Sequence, residues 1–161
     1  MSPVEKAVLD GLSKGIQAEL AAYVFYKKGL ALTKDEKLRA TLTDLAAQEK
    51  EHFLILEGQY DSLVRSEMWN TISDVLRRKG LPDIEEKMES VHEDLIDEVS
   101  ESTTPLRMLE IALILEERAV NMYADMAKKV KDIKGKEMYE YLAKFETGHA
   151  KLIKKMMESY K

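Results

Sequence analysis

The chain has 161 residues, 45% of them hydrophobic and 34% charged, with no cysteine and a formal net charge of −5. Without cysteine it has no disulfides, thiolate metal sites or cysteine nucleophiles, and its acidic balance gives no general attraction to nucleic acid or anionic lipid. The amino terminus lacks a basic region followed by an apolar one, and no window approaches about eighteen uncharged apolar residues, so a soluble, cytoplasmic protein with no membrane partner is expected.

A chain of this length suits one domain over residues 1–161. Three prolines, seven glycines and an abundance of Ala, Leu, Glu, Lys and Met point to an all-α protein. Ser2-Pro3-Val4-Glu5 has the form of a capping box, with proline at the first helical position, and predicts a helix over 3–29. Its apolar stripe runs through Leu12, Ile16, Tyr23 and Tyr26, and Glu19 lies inside that stripe. A carboxylate buried there without a partner would cost several kcal/mol or take up a proton.

Thr33-Lys34-Asp35-Glu36 is a second capping box and opens a helix over 34–64. Its seam is Leu38, Leu42, Leu45, Leu56 and Leu63, with Glu49 and His52 at the two positions missing from it. Residues 66–103 read as a long, partly helical crossover. Ser66 to Lys79 predicts a short helix with Trp69, Ile72 and Leu76 on one side, Trp69 covering a bundle end, stopped by Gly80-Leu81-Pro82. From Asp83 a further helix is expected, with Ile84, Met88, Val91, Leu95 and Val99 at helical spacing and nine acids up to Glu101 against Lys87 alone. His92 falls on that acidic stretch and reads as exposed. Thr104-Pro105 starts a helix over 105–130 whose inner face carries Leu109, Leu113, Glu116, Val120 and Tyr123. After the breaker Lys131 to Gly135, a helix over 133–159 places Met138, Leu142, Phe145, Ile153 and Met156 around Glu146 and His149.

These anomalous polar residues repeat. Glu19, Tyr26, Glu49 and His52 return ninety-seven residues later as Glu116, Tyr123, Glu146 and His149. In each half Glu and His stand three residues apart, about 60° around a helix, which lets them bind one ion. The midpoints between Glu19 and Glu49, and between Glu116 and Glu146, fall in the two interhelical turns, so each hairpin brings its carboxylates to one level about 22 Å from the bend. Two antiparallel hairpins joined by the crossover then make a four-helix bundle with six candidate ligands, Glu19, Glu49, His52, Glu116, Glu146 and His149. Four carboxylates balance two divalent ions, and oxygen donors with one imidazole per metal suit iron or manganese. Glu117 adjoins Glu116 but points about 100° away.

Two single glutamates and two Glu-x-x-His pairs resemble the ligand pattern of the ferritin-like superfamily, and most closely its rubrerythrin-like branch. The resemblance covers roughly residues 3–64 and 104–159. It implies a ferritin-like four-helix bundle holding two iron ions, with manganese as the alternative, and Glu49 and Glu146 as bridges between them. It also implies that Tyr26 and Tyr123 donate to ligand carboxylates; ordinary core tyrosines are the other reading. The chain departs from full rubrerythrins in lacking a cysteine-ligated rubredoxin domain, and in carrying Leu113 and Ala119 where those enzymes place a further carboxylate one turn from the third-helix ligand. Bacterioferritins carry a haem-binding Met where Lys50 stands.

The resemblance implies a non-haem di-iron oxidoreductase that reduces peroxide or dioxygen with electrons from an external donor such as a rubredoxin-like protein, working as a homodimer. An iron-binding, ferroxidase or storage protein is a second reading, and a di-iron hydroxylase of an organic substrate a third. A metal-free structural bundle would leave the four core-facing glutamates unexplained.

Overall fold

The computed structural model describes residues 6–66 and 68–161. Among the described residues six helices and one 3-10 segment follow in order: α1 (Lys6–Leu32), α2 (Glu36–Ser66), α3 (Ile72–Leu76), the 3-10 turn Ile84–Ser90, α4 (Asp94–Asp97), α5 (Pro105–Lys129) and α6 (Ile133–Glu158). No helix among the described residues is long and apolar enough to cross a membrane. α1 packs along α2 and α5 along α6, and the two hairpins meet through α1 and α5. The core they enclose holds the predicted seam of Leu12, Ile16, Leu38, Leu42, Leu45, Leu56, Leu63, Leu109, Met138, Leu142, Ile153 and Met156.

The capping box at Ser2 to Glu5 lies outside the described residues. α1 runs three residues past Gly29, because that glycine permits close packing rather than ending the helix: a Cβ there would lie 3.0 Å from Leu42 Cδ1. Asp35 rather than Thr33 caps α2, its Oδ1 accepting from the Leu38 amide at 2.9 Å. The caps of the second hairpin are Thr104, which accepts from Arg107 N at 3.1 Å with Pro105 behind it, and Asp132, which accepts from Lys134 N at 2.8 Å.

The crossover departs from its predicted form. The helix expected over 66–79 is divided: α2 continues to Ser66, and α3 is a single turn capped by Thr71. Between them Asn70 is tied to Gln59, which donates to its carbonyl at 2.6 Å and accepts from its amide at 2.9 Å. Those side-chain bonds replace the helical ladder there. Val75 is the buried residue of α3 and Leu76 is exposed, so the inner face is rotated from the one expected. Trp69 closes the bundle end as predicted, packed on Tyr139 with ring centroids 6.2 Å apart.

The single helix expected from Asp83 is likewise two short turns, with Val91 and Glu93 extended between them. Nine acids against one lysine leave that stretch only Asp83 and Lys87 as opposite charges a turn apart, and its other carboxylates find partners elsewhere. Tyr23 donates to Glu85, Arg118 reaches Glu93, and Arg107 pairs with both oxygens of Glu98 at 2.7 and 3.0 Å. Lys28 Nζ also donates to the Ile96 carbonyl at 2.8 Å. Ile84, Ile96 and Val99 still turn inward, and His92 is exposed. Phe145, expected inside, is 39% exposed: it stands at the edge of the bundle beside Tyr141 and His52.

Candidate metal centre

Each long helix contributes to one polar cluster at the middle of the apolar core: Glu19 from α1, Glu49 and His52 from α2, Glu116 from α5, and Glu146 and His149 from α6. All four glutamates are 1% exposed. Helical spacing accounts for their orientation, since each occupies a position that its apolar stripe would otherwise fill. The geometry forms two overlapping groups. Glu19, Glu49, His52 and Glu146 present ligand atoms within 4.8 Å of one another, and so do Glu49, Glu116, Glu146 and His149. Glu49 and Glu146 belong to both groups. Glu117 lies on the exposed side of α5.

The contacts obey the sequence repeat. His52 Nδ1 lies 2.8 Å from Glu146 Oε1, and His149 Nδ1 lies 3.1 Å from Glu49 Oε1, so each imidazole reaches across from one hairpin to the other. The Tyr26 hydroxyl donates to Glu116 and the Tyr123 hydroxyl to Glu19 Oε1, the latter at 2.6 Å. Both phenols are buried, and that burial, with the charge of Glu116 on Tyr26 and of Glu19 on Tyr123, pushes them well above their ordinary value. They therefore keep their protons and act as donors.

Four carboxylates in one dry cavity cannot all stay charged without compensation. Burial pulls both imidazoles down, but the hydrogen bond to Glu146 and the negative charge of Glu19 and Glu146 outweigh it at His52 and push it up to about 10. Glu116 and Glu146 do the same for His149, also to about 10. Glu146 is pushed up by burial and by the negative charge of Glu19 and Glu116. Burial acts the same way on Glu116, but the neighbouring Glu146 and His149 and the hydroxyl of Tyr26 hold it below its ordinary value. The cluster thus holds protons that cations would replace.

The donor set fits divalent metal. It is oxygen-rich with one imidazole in each group, and Glu19 Oε2 and Glu116 Oε2 are buried without a hydrogen-bond partner among the described residues. In each of these glutamates one oxygen is held by a tyrosine and the other is left to a ligand.

Sequence reading missed two neighbours. Gln48 Oε1 lies 2.5 Å from His149 Nε2, although its place one residue before Glu49 gave no periodic signal. Tyr139 stacks on Tyr123 with centroids 6.2 Å apart, and here the signal was available, since it follows Met138 on the inner side of α6.

Fold and site together define a helical bundle with a buried carboxylate–imidazole cluster that could hold metal. The chain belongs to the ferritin-like domain family, whose model matches residues 8–159. Among solved structures it is similar to a hypothetical protein from Pyrococcus furiosus, with 24% identity over 93% of this chain and 87% of that one and a TM-score of 0.66, a likeness of fold. None of the curated proteins compared matches the chain.

Proposed function

We propose that the chain is a non-haem di-iron oxidoreductase of rubrerythrin-like type, reducing peroxide or dioxygen with electrons from an external donor. The observation that carries this reading is that two buried four-residue groups share Glu49 and Glu146. Shared carboxylates are what a pair of adjacent ions requires. In this reading Glu19 and His52 would hold one ion and Glu116 and His149 the other, with Glu49 and Glu146 available to both. Two ferrous ions, when bound, supply the two electrons that cleaving an oxygen–oxygen bond consumes.

The chain's own residues set the conditions for that reaction. Tyr26 and Tyr123 fix one oxygen of Glu116 and of Glu19, which orients the second oxygen of each. The imidazoles present Nδ1 to the carboxylates, the atom that would serve a bound metal once its proton is lost. Burial excludes bulk water from the carboxylates. An external donor such as a rubredoxin-like protein belongs to the same proposal. The proposal extends to a cytoplasmic homodimer, with manganese as the alternative metal.

Anaerobic loading with ferrous iron, followed by elemental analysis and stopped-flow mixing with one equivalent of peroxide or dioxygen, tests the reading. Two ions per chain, rapid oxidation and steady turnover only with added donor are expected. A stoichiometry of one or zero removes the di-iron assignment. Iron that leaves the site and mineralises as more is supplied establishes the ferroxidase or storage function instead. Consumption of an organic substrate in step with dioxygen establishes the hydroxylase.

A further inference from the structure

The two halves of the centre correspond residue by residue at an offset of ninety-seven, and their contacts follow that correspondence: Tyr26 to Glu116 is matched by Tyr123 to Glu19, and His52 to Glu146 by His149 to Glu49. The correspondence fails behind the imidazoles. His149 Nε2 lies 2.5 Å from the amide oxygen of Gln48. The offset places Phe145 where the equivalent of Gln48 would stand, and its ring meets His52 edge-on, with centroids 5.5 Å apart and planes at 82°. Tyr141 adds a second ring, 6.3 Å from His52 at 76°. One imidazole is therefore backed by a carbonyl acceptor and the other by aromatic rings.

This difference matters because both histidines turn Nδ1 toward the carboxylates. An imidazole whose Nδ1 lone pair serves a metal carries its remaining proton on Nε2. At His149 that N–H donates to Gln48 Oε1, which fixes the ring plane before the ion arrives and keeps the remaining proton on Nε2 once Nδ1 is free to bind. A phenyl ring has no lone pair to do the same for His52.

We propose that Gln48 is a positioning residue that makes the two metal positions unequal. The position formed by Glu49, Glu116, Glu146 and His149 fills first and tightly; the position formed with Glu19 and His52 fills second and more weakly. This inference rests on the two-ion reading above. Its scale is that of hydrogen-bonding partners behind metal-bound histidines, whose loss weakens metal binding by about 10–100-fold. The weaker ion is the one that exchanges with solution.

Titration of the metal-free protein with cobalt(II), followed by calorimetry and by the visible absorption of the bound ion, tests it. The wild-type protein should take up two ions in steps separated by about tenfold or more. Gln48→Leu, similar in size but without an acceptor, should weaken the tighter step by about 10–100-fold and leave the weaker one in place. Gln48→Glu, which keeps an acceptor, should restore it, a rescue that a packing role would not produce. Phe145→Gln, at a position open to solvent, should strengthen the weaker step. Circular-dichroism melting of the metal-free variants confirms that each is folded, and the resonance of the His149 Nε2 proton, protected in the wild type and lost in Gln48→Leu, reports the bond without metal. Two equal steps in the wild type, equal weakening of both steps by Gln48→Leu, or failure of Gln48→Glu to rescue overturns the inference while leaving the two-ion reading intact. Fewer than two ions in the wild type overturns that reading and this inference with it.

Discussion

Replacing glutamates by glutamine at three neighbouring places should give three graded losses of metal stabilisation. Glu116 belongs to one of the two ligand groups, Glu146 to both, and Glu117 to neither, being exposed about 100° around α5. Glutamine at 116 keeps an oxygen for the Tyr26 hydroxyl, so the metal-free fold is preserved while one anionic ligand is removed. One site saturated a hundredfold above its Kd stabilises the folded chain by about 2.7 kcal/mol, so two sites contribute about 5 kcal/mol. In a chain of this size each kcal/mol moves Tm by about 2–4 °C, so full loading of the wild type should raise Tm by about 10–20 °C. Glu116→Gln should retain about half of that rise, Glu146→Gln almost none and Glu117→Gln all of it. Differential scanning calorimetry with and without anaerobic ferrous iron, paired with elemental analysis, gives the three values. Equal losses at 116 and 117, or a full rise in Glu146→Gln, would refute the shared-carboxylate geometry.

Two further predictions concern the frame around the site. Asp35→Ala should destabilise the protein by about 1 kcal/mol by removing the α2 cap. The Leu38 amide and then the Tyr160 hydroxyl hold the Asp35 carboxyl below its ordinary value, so its contribution is complete above the unfolded value of about 3.9 and is lost as pH falls through the lower folded one. Urea unfolding should therefore show a smaller acid-induced loss of stability in Asp35→Asn, which keeps a capping oxygen, than in the wild type; an identical pH profile would count against the assignment. Gly58→Ala should be net destabilising, because the new Cβ would lie 2.1 Å from Val75 Cγ1, and an overpacking cost of about 1–3 kcal/mol exceeds the gain of about 1 kcal/mol in helix propensity. Adding Val75→Ala should make the Gly58→Ala change less costly, and a double-mutant cycle without coupling would show that α3 does not press on α2 there.

The four long helices and the inward positions of the six polar residues were readable from the chain, because helical periodicity and the distance of each glutamate from its turn are local properties. Folding each hairpin at Thr33–Asp35 or Val130–Asp132 brings Glu19 level with Glu49 and Glu116 level with Glu146 without knowledge of the other hairpin. The crossover was readable only in part. Its apolar residues Ile84, Ile96 and Val99 are buried as their spacing suggested, but whether they lie on one helix or two short turns depended on partners from afar: Tyr23, Lys28, Arg107 and Arg118 satisfy backbone and carboxylate groups that a continuous helix would have used differently. Gly29, where the first helix was expected to end, is a close-packing point inside α1, and Gly58 is another inside α2, since only the neighbours Leu42 and Val75 determine what a glycine is for.

By itself, then, the sequence determined the four long helices, the turn within each hairpin and a twofold repeat of Glu, Tyr, Glu and His. Tertiary structure alone decided how the halves meet. The crossed contacts between His52 and Glu146 and between His149 and Glu49, the two tyrosine hydroxyls on the opposite hairpin's glutamates, and the unequal backing of the imidazoles by Gln48 and Phe145 all lie between hairpins. Periodicity states which face of a helix is buried; the side chain that stands opposite is set by the angle and offset at which two hairpins pack, and those follow from the fit of the whole core.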